Sequence, residues 1–135
     1  MSDETREKAQ KGNILIVDDD KFLLNMYAMK FSQQGFTIHS CLSVHEALEA
    51  LRKGFAADVI VFDLIMPEFD GFSFLQSLSK EGLAPHAIKV ALTNQNDEGN
   101  QNHAKELGAD MCLVKAMMIP SEVVNTISTA LASRA

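Results

Sequence analysis

The sequence predicts a doubly wound α/β fold, in which a parallel sheet of five strands lies between five helices. Short apolar runs alternate with longer segments whose apolar residues recur at helical spacing, and Gly, Pro, Asn or Asp marks each change. The chain has 135 residues, 47% of them hydrophobic, which is enough for one domain with a buried core. Right-handed crossovers between parallel strands would place helices on both faces of the sheet.

The first part of the chain contains a strand, a helix and a second strand. Ile14–Val17 is a continuous apolar run, typical of a strand buried on both faces. Asp20 can cap a helix over Lys21–Gln34, and Gly35 suits the left-handed position that ends a helix. Phe36–Ser40 is predicted to be the second strand.

The next segment begins with a sequence pattern that is typical of a helix N-terminus. Ser43 and Glu46 match the Ser-x-x-Glu capping box. Val59–Phe62 is predicted to be the third strand. The third helix is predicted to lie between Gly71 and Gly82. The apolar stripe of the second helix consists of Val44, Ala47, Leu48 and Leu51.

The last third of the chain repeats the alternation twice. Ala87–Leu92 is predicted to be the fourth strand, interrupted by Lys89, and a weak helix passes through Ala104 and Leu107. Met111–Val114 is predicted to be the fifth strand. Pro120 then suits the first turn of a last helix, whose apolar side is formed by Val123, Val124, Ile127 and Leu131.

The two ends of the chain carry no targeting or membrane signal. Residues 1–12 are polar and mixed in charge, and we predict a disordered tail there, with residues 13–135 as one domain. No apolar run approaches the roughly 20 residues of a membrane helix. We therefore expect a cytoplasmic protein without membrane insertion. The last helix ends near Ala135, so we expect a stand-alone domain.

Charge and cysteine content exclude several classes of function. The chain has 12 Lys and Arg against 18 Asp and Glu, a net charge of −6, which disfavours direct binding to nucleic-acid phosphates. Cys41 and Cys112 lie far apart without metal-ligand spacing, and we predict that both are buried, free thiols.

Polar residues follow four of the predicted strands: Asp18, Asp19 and Asp20 the first, Asp63 the third, Thr93 the fourth and Lys115 the fifth. The carboxyl ends of parallel strands form the ligand-binding edge of such sheets. Carboxylates gathered there repel one another unless a cation intervenes, and oxygen ligands favour Mg²⁺. A hard cation beside an ammonium and a hydroxyl is suited to phosphoryl transfer. No GxxxxGK[ST] phosphate loop is present, so we expect a carboxylate of the protein itself to be the phosphoryl acceptor.

Five segments together resemble a response-regulator receiver domain. They are residues 14–20 (ILIVDDD), 59–71 (VIVFDLIMPEFDG), 91–93 (ALT), 108–110 (GAD) and Lys115. The similarity covers about residues 13–133. It implies a flavodoxin-like sheet of strand order 2-1-3-4-5.

The resemblance also implies a role for each site residue. Asp63 would accept a phosphoryl group from a phosphohistidine. Asp19 would bind Mg²⁺ directly and Asp18 largely through water, with Asp63 and the Ile65 carbonyl as further metal ligands. Lys115 would contact the phosphoryl oxygens, and Thr93 would move to hydrogen-bond them.

The family further implies a self-phosphorylating acceptor rather than a turnover enzyme. Its partners would be a histidine kinase or histidine phosphotransfer domain and a downstream protein target. Ile65 and Gln95 would flank the path of the water that hydrolyses the aspartyl phosphate, and we expect the apolar Ile65 to exclude that water.

Three positions depart from the family pattern. Asn94 replaces the usual small residue after the threonine, Cys112 replaces the aromatic switch residue, and Ala116 replaces the proline after the lysine. A cis bond before a non-proline residue costs about 2.5–4 kcal/mol, so the Lys115–Ala116 bond is either trans or strained.

Two alternatives remain open. Asp18-x-Asp20 resembles the signature of a haloacid-dehalogenase-type phosphatase, which would make Asp18 the nucleophile. Phe22 in place of the usual Thr or Val and the lack of an acidic pair after Lys115 count against it. The other alternative is a degenerate receiver that acts only as a binding module, which the changes at Cys112 and Ala116 favour.

The first helix has more apolar residues than one buried face requires. We predict a buried face of Leu23, Met26, Tyr27 and Phe31, which leaves Phe22, Leu24 and Met29 in excess. Phe22, Asn25 and Met29 would form one stripe beside the acidic site, suited to docking on helices of the phosphoryl donor. A wider core stripe is the alternative.

Overall fold

The structure is a computed structural model that describes residues 11–94 and 97–134. Within them, five parallel strands form one sheet of order β2-β1-β3-β4-β5. The strands are β1 (Asn13–Val17), β2 (Thr37–Cys41), β3 (Val59–Asp63), β4 (Ile88–Thr93) and β5 (Met111–Val114). The helices are α1 (Lys21–Gln33), α2 (Val44–Arg52), α3 (Gly71–Glu81), α4 (Glu98–Glu106) and α5 (Pro120–Arg134), and a short 3-10 turn, Lys115–Met117, follows β5. The predicted fold class and strand order are confirmed.

The core has two layers, one on each face of the sheet. Side chains alternate along a strand, so Ile14 and Ile16 of β1 pack with α1 and α5, whereas Leu15 and Val17 pack with α2, α3 and α4. Both layers exclude water, and for this reason the central strands β1 and β3 are apolar along most of their length, whereas the edge strand β2 is largely exposed and carries polar residues.

The two predicted helix caps are present. The Asp20 carboxylate accepts hydrogen bonds from the Phe22 and Leu23 amides at 3.0 and 3.2 Å. The Ser43 hydroxyl accepts from the Glu46 amide at 3.2 Å. The Glu46 carboxylate closes the box on the Leu42 amide, one residue before the cap itself.

Several predicted boundaries are wrong by one residue, and at three of them turn hydrogen bonds take the residues concerned. The Phe36 amide donates to the Phe31 carbonyl, so Phe36 completes the end of α1 and β2 begins at Thr37. The Gln34 amide donates to the same carbonyl, which makes Gln34 the cap. The Ala87 amide bonds within the turn before β4, and that strand begins at Ile88.

The buried face of α1 agrees with the prediction at Tyr27 and Phe31 and differs from it elsewhere. Leu24, Tyr27 and Phe31 are buried against the sheet, and their spacing of three and four residues places them on one face. Leu24 was predicted to be in excess of the core, which is wrong, and the predicted core residues Leu23 and Met26 are only half-buried. The remaining outer stripe, Phe22, Asn25 and Met29, is exposed as expected.

The start of the chain is described from Lys11. The Lys11 amide donates to the Gly35 carbonyl, and the Gly12 carbonyl accepts from Thr37, so both residues already contact the segment that leads into β2. The predicted disorder of the tail concerns residues that, up to residue 10, lie outside the described part of the chain. The boundary at Asn13 stays a prediction. Among the helices of residues 11–94 and 97–134, none combines the length and apolar content that crossing a membrane requires.

Candidate functional site

The predicted site residues lie together at the carboxyl edge of the sheet. Asp63 is the last residue of β3, and Thr93 is the last residue of β4. Asp18 directly follows β1, and Lys115 directly follows β5. Asp63 and Thr93 were predicted to follow their strands. Both instead end a strand ladder, paired with Leu92 and Val114, so sheet hydrogen bonds fix their backbones.

Three carboxylates form the acidic cluster, which consists of Asp18, Asp19 and Asp63. One oxygen of each lies within 4.8 Å of the others. Asp18 is fully buried and Asp63 is 3% exposed, whereas Asp19 faces solvent. Of the three carboxylates, only that of Asp19 is exposed to solvent.

Lys115 bridges the two buried carboxylates. Its ammonium lies 2.9 Å from Asp18 Oδ2 and 3.2 Å from Asp63 Oδ2. Asp18 Oδ1 accepts from the Asp20 amide at 2.9 Å, so both oxygens of Asp18 are engaged. Asp63 Oδ1 is buried and accepts no hydrogen bond from the described residues.

The charges of the site are unbalanced. Burial raises the pKa of Asp63, Asp18 and Asp19 raise it further, and Lys115 opposes them. Burial opposes the charge on Lys115, yet hydrogen bonds and attraction from Asp18 and Asp63 outweigh it and raise the pKa of the lysine. One ammonium thus faces three carboxylates.

The donor set fits a hard divalent cation. Carboxylate oxygens are the ligands that Mg²⁺ prefers, and the free Oδ1 of Asp63 supplies an acceptor that has no other partner among the described residues. The ligand role predicted for the Ile65 carbonyl stays a prediction.

Gly71 was predicted as a helix boundary and as the last residue of the family-like segment 59–71, without a role in the site. A Cβ atom at this position would lie 2.7 Å from the Asp63 carbonyl oxygen and 2.8 Å from Leu64 Cα. The Gly71 amide donates to the Leu64 carbonyl, and the Leu64 amide donates to the Leu92 carbonyl. The start of α3 therefore presses directly on the end of β3, a contact that the Asp-Gly step in the sequence could have indicated.

The structure describes the three positions at which this chain departs from the family pattern. The Lys115–Ala116 peptide bond is trans, and Ala116 lies in the 3-10 turn. Cys112 is half-buried and its thiol donates to the Gln101 carbonyl at 3.7 Å, so the prediction of a buried cysteine holds fully only for Cys41. Asn94 is exposed. Gln95, predicted to flank the water path, lies outside the described residues.

Comparison with known proteins gives a consistent result. The family model described as "Response regulator receiver domain" matches residues 14–128. The transcriptional regulatory protein SrrA of Staphylococcus aureus is 34% identical over 112 residues, which are 82% of this chain and 44% of SrrA. The probable transcriptional regulator ycf27 of Porphyridium aerugineum is 32% identical over 106 residues, 78% of this chain and 42% of that protein. The chain thus spans less than half the length of these curated relatives.

Solved structures share the fold. The receiver domain of the Francisella response regulator 1452 has a TM-score of 0.80 at 27% identity, covering 92% of this chain and 98% of that one. The CheY-like response regulator receiver domain protein from Methanospirillum hungatei JF-1 has a TM-score of 0.81 at 23% identity, covering 92% and 96%.

The close approach at Gly71 leads to a first testable prediction. We expect Gly71→Ala to lower the free energy of unfolding by about 1–3 kcal/mol, because the new methyl group must displace backbone atoms. The Asp63 amide resonance should shift as β3 moves. Gly99→Ala is the matched control. Its Cβ would meet only the Asp97 side chain, at 3.3 Å, and alanine favours the helix by about 0.5–1 kcal/mol. Equal stability of the two variants in urea denaturation would contradict the prediction.

Proposed function

This chain belongs to the response-regulator receiver domain family, and on that premise we propose that Asp63 accepts a phosphoryl group from a phosphohistidine with the help of Mg²⁺. One observation carries the proposal. Asp63 Oδ2 is held by Lys115, while Oδ1 is buried and has no hydrogen-bond partner among the described residues. One oxygen is thus oriented and the other is available as a nucleophile or metal ligand.

The transfer exchanges one bond to phosphorus for another. A carboxylate oxygen of Asp63 attacks the phosphorus in line, the P–N bond to the donor histidine breaks, and its electron pair stays on the leaving imidazole nitrogen. Lys115, already against Asp63, is placed to neutralise phosphoryl oxygens. The Thr93 hydroxyl, buried at the end of the adjacent strand, is expected to hydrogen-bond them.

Asp18, Asp19, Asp63 and the Ile65 carbonyl would hold the metal ion. When bound, Mg²⁺ would offset the negative charge of the acidic cluster and of the incoming phosphoryl group. Asp19 faces solvent, and the cluster is therefore reachable by a hydrated cation.

The geometry argues against Asp18 as the nucleophile of a phosphatase. Its two oxygens are engaged, one by the Asp20 amide and the other by Lys115, and it is fully buried. A degenerate receiver that only binds partners is the second candidate function, and the replacement of the aromatic switch residue by Cys112 favours it. Phosphoryl uptake on Asp63 separates the two.

We propose that the phosphoryl donor docks on α1. Phe22 is 72% exposed and Met29 is 56% exposed, and with Asn25 they form an outer stripe on the helix that Asp20 caps beside the acidic cluster. A helix of a histidine kinase or histidine phosphotransfer domain is the partner that suits such a stripe. These partners imply a cytoplasmic location, which stays a prediction.

Output through a downstream protein is likewise a proposal. The relatives SrrA and ycf27 are named as transcriptional regulators, and this chain covers less than half of their length. For the domain itself, the net charge of −6 supports signalling through protein contacts rather than direct contacts with nucleic acid.

Phosphorylation of Asp63 can be tested by intact mass. Treatment with acetyl phosphate and Mg²⁺ should add the mass of one phosphoryl group, and Asp63→Asn, which keeps the shape and removes the nucleophile, should abolish it. A chelator should prevent the gain. Asp58→Asn is the matched control, because Asp58 lies just before the opposite end of β3. Phosphoryl uptake by Asp63→Asn, or loss of it in Asp58→Asn, would contradict the proposal.

The docking surface can be separated from the chemistry. Phe22→Glu should slow transfer from a phosphorylated histidine phosphotransfer domain by about tenfold or more, since a buried interface aromatic commonly contributes over 1 kcal/mol. Labelling by acetyl phosphate should be unchanged. Phe69→Glu is the control, because Phe69 is another largely exposed phenylalanine, which lies beside α2. Equal slowing with both donors would indicate a folding defect and refute the docking role.

The lifetime of the phosphorylated state depends on water access. Ile65, two residues after the acceptor, is 56% exposed and cannot orient a water by hydrogen bonding. We expect a long-lived aspartyl phosphate, suited to storing or relaying phosphate. Ile65→Asn should accelerate spontaneous loss of label after donor removal. Leu42→Asn, which alters another exposed apolar residue, is the control. Decay of Ile65→Asn at the wild-type rate would show that Ile65 does not exclude the water.

A further inference from the structure

Lys89 is a charged residue inside a strand of the central sheet. It lies in β4 and pairs with Ile60 of the fully buried strand β3. It is the second residue of β4, whereas Thr93 at the phosphoacceptor site is the last. Lys89 therefore lies toward the opposite edge of the sheet, and the proposed phosphoryl transfer does not use it.

The amine of Lys89 is bound by backbone carbonyls only. Its Nζ donates to the Ala84 and Ala87 carbonyls, both at 3.1 Å. Among the described residues, no carboxylate forms an ion pair with it, because the nearby Asp110 carboxylate accepts from the Lys89 backbone amide instead. An ammonium has three N–H groups, whereas a neutral amine has two and a lone pair. Two carbonyl acceptors satisfy both N–H groups of the neutral amine, whereas the third N–H of the ammonium has no acceptor among the described residues.

The surroundings of Lys89 also favour its neutral form. Burial lowers the pKa of Lys89, and the negative charge of Asp110 offsets this only in part. A lysine in such surroundings is a better nucleophile at neutral pH than an exposed one, because more of it carries a free lone pair.

Two adjoining cavities meet at Lys89. One, of about 290 Å³, has a mainly apolar wall that includes Leu75, Leu78, Leu83 and Leu107. The other, of about 490 Å³, contains the charged and titratable groups His86, Asp110 and Arg134. The Arg134 guanidinium donates to the His86 carbonyl at 2.7 Å, which fixes its position in this second cavity. A small reagent with an apolar chain can thus reach the amine from an apolar cavity.

We propose that Lys89 is an acylation site, at which its amine takes an acyl group from a small acyl thioester or acyl phosphate. The Nζ lone pair attacks the acyl carbon and the C–N bond forms. The C–S or C–O bond to the leaving group breaks, its electron pair leaves with the thiolate or phosphate, and the nitrogen gives one proton to solvent. The acyl chain lies in the cavity lined by leucines.

Acylation changes the loop before β4. The resulting amide has a single N–H, so only one of the bonds to Ala84 and Ala87 can remain. Ala84 has a left-handed backbone, with φ of 45°, and its carbonyl also accepts from the Ala87 amide. Loss of a lysine contact loosens a strained turn at the start of β4.

The test is site-resolved mass spectrometry of the full chain treated with acetyl and hexanoyl thioesters. These reagents carry no phosphoryl group, so the result is independent of phosphoryl transfer to Asp63. At about pH 8, Lys89 should be labelled roughly threefold or more faster than the exposed Lys80, because burial lowers the pKa of Lys89 and enlarges its neutral fraction. The hexanoyl thioester should favour Lys89 over Lys80 more than the acetyl thioester does. Parallel treatment with acetyl phosphate shows whether acyl phosphates serve as a second source.

A charge variant provides the control. Asp110→Asn keeps an acceptor for the Lys89 amide and removes the charge that favours the ammonium, so it should accelerate labelling of Lys89 and leave Lys80 unchanged. In urea the two lysines should be labelled equally. Labelling of Lys89 no faster than Lys80 in the folded chain, or an Asp110→Asn variant that leaves the Lys89 rate unchanged or lowers it, would overturn the proposal.

Discussion

A single ammonium, that of Lys115, holds two buried carboxylates from different strands in one site. Without it, Asp18 and Asp63 would be buried like charges at close range, which is strongly unfavourable. The strand order brings the three residues together, because β1 and β4 flank β3 and β5 lies beside β4. The sheet thus brings the two carboxylates close together, and the Lys115 ammonium offsets their repulsion.

Much of the fold was accessible from the sequence because apolar periodicity decides it. The alternation of apolar runs and helical stripes predicted the five strands and five α-helices of the described residues, though not the 3-10 turn after β5, and the strand order came from the family resemblance. The errors arose where the sequence pattern fitted more than one buried face. On α1, Leu23 and Leu24 both begin plausible stripes, and only the position of the sheet selects Leu24.

The candidate site was predictable in outline and not in its contacts. Strand ends share an edge, and Asp18, Asp63 and Lys115 were therefore expected together. The sequence could not predict that Asp63 Oδ1 has no hydrogen-bond partner among the described residues. This depends on how the Lys115 ammonium divides its hydrogen bonds between Asp18 and Asp63, which are 45 positions apart along the chain. Gly71 was missed for a related reason: its role is a backbone contact across a loop, and a sequence pattern carries no distances.

The buried oxygen of Asp63 has a consequence for engineering the stability of this domain. A buried acceptor without a partner lowers the stability of the folded state, and substitutions that remove it are a ready route to a more robust protein. Such substitutions would gain stability at the expense of the proposed phosphoryl transfer. Stabilised variants that keep the candidate site are therefore best sought among residues remote from this edge of the sheet.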